Sequence, residues 1–89
     1  MTFTEYRNVE DVYVAARRLR DWLSDREERQ ASAELEESMR TFWATASEAV
    51  GEIKLSLLKV RPTVEKALDE VALRLLDSAV DGATKLFRG

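Results

Sequence analysis

The chain has 89 residues, 45% hydrophobic and 35% charged, with 17 acidic side chains against 14 basic ones, a net charge of −3. It holds no cysteine and no histidine. That removes disulfides, thiolate nucleophiles, Cys-based zinc sites, the commonest general base and the near-neutral pH switch together. A single domain over residues 1–89 is expected. At this size a compact monomer buries only about 60–65% of its unfolded surface, so tight packing or a partner must supply the rest of its stability.

Only three Gly and one Pro in so charged a chain favour long amphipathic helices over a sheet. The first residues include acids and no uninterrupted apolar stretch, so no secretory signal is read. No apolar run approaches the roughly 20 residues of a membrane-spanning helix. A cytoplasmic location is the expectation these absences leave.

The first helix is expected over about 5–29, with Val9, Val12, Tyr13, Ala16, Leu19 and Leu23 recurring at three- and four-residue steps. Thr2 with Glu5 fits a capping box, and Asn8 ahead of Glu10 and Asp11 offers a second start. The segment "SDREERQ" contains no breaker and carries the helix onward. A break follows near "QASAE", where Ser32 can cap and Glu34, Glu36 and Glu37 favour the positive end of a helix dipole. Because neither Gly nor Pro marks that junction, one continuous helix through it is the alternative.

The second helix is expected over 33–60. Leu35, Met39, Phe42, Trp43, Ala46, Val50, Ile53, Leu57 and Val60 fall in one sector of a helical wheel. Ile53, Leu55 and Leu57 also alternate like a strand, but the helical phase carries through Gly51 and decides for helix. Pro62 pushes Arg61 out of the helical region and should end the segment. A helix kinked at Pro62 stays open, since Val64 and Val71 keep the phase.

A third helix over 63–87 carries Val64, Leu68, Val71, Leu75, Ala79 and Leu86 as its main stripe, with Ala72 and Ala83 beside it. The three together predict an all-α, antiparallel up-down-up bundle that oligomerisation would complete. The second helix, about 42 Å long at 1.5 Å per residue, would overhang so small a core.

No catalytic constellation emerges. The serines have no histidine to activate them, and glycines at 51, 82 and 89 form neither a G-x-S-x-G elbow nor a phosphate loop. Glu48 with Glu52 and Glu65 with Asp69 are acidic pairs one turn apart, leaving only a carboxylate-held Mg²⁺ formally open. Solvated carboxylates paired with Lys66 and its neighbours are the stronger reading, so no cofactor and no metal are expected. Arg17, Arg18 and Arg20 beside Trp22 form a basic cluster, but Asp11, Asp21, Asp25, Glu27 and Glu28 surround it and argue against nucleic acid.

The informative residues are the apolar ones out of phase. Leu73, Leu76, Val80 and Phe87 make a second seam on the third helix, and the two stripes together exceed the roughly 100° that a surface helix buries. Leu55 and Leu58 lie away from the main stripe of the second helix, and Trp22 flanks that of the first. These residues predict a non-catalytic interaction or oligomerisation module, an accessory, adaptor or regulatory subunit. Leu73, Leu76, Val80 and Phe87 would be its main contact, Leu55 and Leu58 a smaller one, with Trp22 and Phe87 as aromatic anchors. Self-association into a homo-oligomer ranks ahead of a place in a larger assembly. A peripheral lipid-binding protein is the alternative, weakened by the acidic balance of the third helix's polar side. A carboxylate-only Mg²⁺ enzyme comes third.

Overall fold

The computed structural model describes residues 9–41, 43 and 45–87, with Phe87 described by its backbone alone. It contains four helices rather than the expected three: α1 (Val9–Asp25), α2 (Arg29–Arg40), α3 (Ala46–Lys66) and α4 (Glu70–Phe87). The start signals at Thr2, Glu5 and Asn8, and Phe42 of the expected stripe, lie outside the described residues.

Each difference from expectation has a local cause. The first helix stops at Asp25, short of residue 29, because Glu27 turns left-handed at φ 62°. There the Glu27 N–H donates to the Ser24 carbonyl at 3.0 Å and the Glu28 N–H to Leu23 at 2.9 Å, which closes the last turn. Glycine usually fills that position; with Glu in it, the stop is built by the backbone and leaves no breaker to read.

The helix expected over 33–60 is two helices. At its interruption the Thr41 hydroxyl donates to the Glu37 carbonyl at 2.7 Å and the Trp43 indole N–H to that of Ser38 at 2.9 Å. The extended Thr45 then caps α3, its side chain accepting from the Glu48 N–H at 3.1 Å. Thr45-Ala46-Ser47-Glu48 has the spacing of a capping box. The apolar phase runs through this junction unbroken because α2 and α3 both turn their apolar sides to one core. Phase records which side is apolar, not whether the chain reverses.

At Pro62 the outcome is the opposite. The helix does not end at Arg61 but passes through Pro62 to Lys66. The proline ring stands on the exposed side, where its missing N–H costs least. One turn further, Val64 is fully buried and holds the continuing helix in place. The real break is at Leu68, left-handed at φ 56°, followed by Asp69, whose Oδ1 accepts from the N–H groups of Val71 (3.0 Å) and Ala72 (3.1 Å).

Cross-helix pairs fix the directions. Arg20 of α1 meets both Ser32 and Glu36 of α2, Glu34 of α2 meets Ser56 and Lys59 of α3, and Arg61 of α3 meets Asp77 of α4. Short turns joining helices paired in this way give an up-down-up-down order. Among the described residues α1 and α3 also pack across the middle, whereas α2 and α4 do not touch.

One buried cluster draws on all four helices: Val12, Leu19 and Leu23 from α1, Leu35 from α2, Ile53, Leu57 and Val64 from α3, Leu76 and Ala79 from α4. Because α4 lies between α1 and α3, its broad apolar face has two helices to cover it.

Candidate interaction surface

The second seam expected on α4 is largely spent inside the molecule. Leu76 is fully buried, together with Ala72, Ala79 and Ala83, so it is a core residue and not an interface residue. Leu73 and Val80 are half-buried and pack against that core, as do Leu75 and Leu86. The two stripes of α4 are covered because they turn towards α1 and α3 together, the only helices α4 meets among the described residues. The side chain of Phe87 lies outside the described residues.

Leu68 and Val71, expected in the core stripe, are 89% and 58% exposed. The phase that linked them to Val64 does not survive the turn at Leu68 and Asp69, since α4 starts afresh at Glu70. Trp22 is half-buried against the core, with the Arg26 guanidinium 5.1 Å from its ring centroid, a cation–π arrangement that already occupies the outer face of the indole.

Leu55 and Leu58 are 51% and 43% exposed. They belong to a longer stripe that sequence reasoning missed. Gly51, Leu55, Leu58 and Pro62 recur at four-, three- and four-residue steps, which places them on one line along α3. At 100° per residue that line lies roughly opposite the buried Ile53, Leu57, Val60 and Val64. The helix is therefore apolar on two opposite faces. The signal was present in the spacing, but Gly and Pro register as breakers and not as apolar surface.

Gly51 leaves a shallow groove of about 480 Å³ lined by Ser47, Glu48, Glu52, Lys54 and Leu55. Leu55 stands at its edge as a knob. Along the side of α3 nearer α2, the exposed charges run Glu48, Glu52, Lys59, Lys66, acidic in the first half and basic in the second. Lys59 marks that side, because its ammonium lies 3.4 Å from Glu34 of α2.

A second concavity, of about 330 Å³, opens between α1 and α2 around Tyr13, Arg17, Arg20 and Met39. Its charges neutralise each other: Arg17 pairs with Glu10 at 2.9 Å, and Arg20 with Glu36 at 2.7 Å and Asp21 at 3.0 Å. The hydrogen bonds to Glu36 first and Asp21 next raise the Arg20 pKa above its ordinary value. Of these contacts Arg20–Glu36 clamps α1 to α2; Arg40, which also lines the concavity, pairs with Glu37 at 3.6 Å.

Among the described residues no three acidic side chains converge as they would around a metal ion. The pairs Glu48/Glu52 and Glu65/Asp69 stay separate along α3 and the turn beyond it. No described helix is long and apolar enough to cross a membrane. No protein-family model, curated protein or solved structure matches the chain.

Proposed function

We infer that the protein is a non-catalytic interaction module that binds another protein through the outer face of α3. The observation that carries this reading is the stripe Gly51–Leu55–Leu58–Pro62 opposite the core, with Leu55 51% and Leu58 43% exposed on a helix whose inner face is already full. Scattered surface leucines need no partner, but a continuous apolar line along a rigid helix, next to a groove, is the form that helix-to-helix recognition uses. Rigid placement favours the same role: Thr45 caps the start of α3, and Ile53, Leu57, Val60 and Val64 anchor its length. Binding then orders little that is not already ordered.

The test is a photo-crosslinking residue placed at Leu58, with the same residue at the exposed Arg74 of α4 as control. Protein adducts formed at position 58 and not at 74 support the reading. Equal, diffuse labelling at both positions sinks it.

A further inference from the structure

We propose that the occupant of this face is a second copy of the chain, its α3 packed antiparallel against the first about a twofold axis passing between Leu55 and Leu58. The proposal rests on the reading of the outer α3 face as the interaction surface and adds which partner fits it.

Two independent features select this partner. The first is shape. With the axis between Leu55 and Leu58, each Leu55 meets Leu58 of the second copy, and the notch at Gly51 faces Pro62 of the second copy. The groove of about 480 Å³ beside Gly51 thus lies opposite the one bulky ring on the stripe.

The second feature is charge order. Glu48, Glu52, Lys59 and Lys66 line one flank of the stripe, and all four are exposed. A twofold axis perpendicular to α3 sets this flank beside its own copy in reverse order. Glu48 then stands level with Lys66 of the second copy, and Glu52 with Lys59, each within about 3 Å along the axis. A parallel pairing would instead set this flank beside the opposite one, where Lys59 comes level with Arg61 of the second copy, and would lose the reciprocal match. On the other flank Lys54 comes within about 3 Å along the axis of Arg61 of the second copy, a like charge that Glu65 and Asp77 already neutralise. Lys59 also lies 3.4 Å from Glu34; an ammonium has three donors and can serve both carboxylates.

The contact is small. The stripe from Glu48 to Lys66 is about 27 Å long, and a single helix pair of that length falls at the low end of specific interfaces, below about 1,200 Å² of total buried surface. Micromolar to millimolar association is the corresponding range.

The experiment is sedimentation equilibrium on the full chain from about 10 μM to 1 mM, with helicity followed by circular dichroism. Reversible monomer–dimer behaviour is expected. Leu55→Glu with Leu58→Glu should leave a helical monomer. Glu48→Lys with Glu52→Lys should weaken the dimer at least tenfold, as should Lys59→Glu with Lys66→Glu, and a 1:1 mixture of these two variants should recover association as a heterodimer.

The absence of native cysteine permits a spin label at Ser47→Cys. The antiparallel arrangement separates two such labels to opposite ends of the contact, about 28 Å apart along the axis; labels side by side overturn it. A monomer at every concentration also overturns the proposal, as does a dimer indifferent to the flank charges, or association only with phosphatidylserine vesicles. A monomer whose Leu58 crosslinker still captures a different protein would end the proposal while leaving the interaction-module reading intact.

Discussion

Leu57 and Leu58 are neighbours in sequence with opposite fates, and their substitution by Ala measures which face of α3 is which. Leu57 is fully buried among side chains from the surrounding helices. Its truncation removes the transfer energy of the lost atoms and leaves a cavity, about 3–4 kcal/mol in a packed core. A domain of this length has a total stability of about 4–13 kcal/mol, so Leu57→Ala consumes a large share. It should lower the melting temperature by at least ~12 °C, at about 4–8 °C per kcal/mol for a chain this size. Leu58 is 43% exposed. Leu58→Ala should cost about 1 kcal/mol or less, partly offset by the better helix propensity of Ala. Urea titrations followed at 222 nm, at low micromolar concentration to keep association out of the measurement, give both values with unchanged slopes. Equal losses at the two positions, or a larger loss at Leu58, would refute the assignment of inner and outer faces.

The turns and the core supply further expectations. Thr45→Ala removes the acceptor of the Glu48 N–H and should cost about 1 kcal/mol. Asp69→Ala strands two N–H groups and should cost somewhat more, about 1–2 kcal/mol, in the same denaturation assay. Leu68→Gly should stabilise the protein by about 0.5–1 kcal/mol, because it relieves a left-handed Leu that is 89% exposed and loses no packing. Leu76→Glu should abolish the cooperative thermal transition and most of the helical signal, since it places an unpaired carboxylate in a site with no exposure. Retained helicity in that variant would return Leu76 to the surface.

Helix content and the apolar faces of α1 and α3 were legible in the residue spacing, because 3.6-residue periodicity reports burial directly. Val12, Ala16, Leu19 and Leu23 are buried where the pattern places them, as are Ile53, Leu57 and Val60. The reversals were harder to read, and each for a different reason. At Glu27 and Leu68 the chain takes a glycine's conformation without a glycine. At Thr45 a capping pattern was present but lay within an unbroken apolar phase. Pro62 suggested a stop, yet its ring faces outward and the burial of Val64 outweighs the lost hydrogen bond. Missing one reversal changed the helix count, and that misplaced the surplus surface. Leu73, Leu76 and Val80 looked spare but face α1 and α3, whereas Leu55 and Leu58 are the leucines left exposed on α3.

The absence of contact between α2 and α4 also bears on how the molecule opens. The slowest amide hydrogen exchange should lie on α1 and α3, which share the centre and touch every other helix. Exchange through partial opening should begin at α2, which has 12 residues and contributes only Leu35 and Ser38 to the buried set. Its release would break the Arg20 clamp while leaving the α1, α3 and α4 packing together, an excited state reachable at less than the global unfolding energy. In that state the α2-facing side of α3, around Ser56 and Lys59, is uncovered beside the outer stripe, so the protein's aggregation propensity should follow the opening of its shortest helix and not its melting temperature.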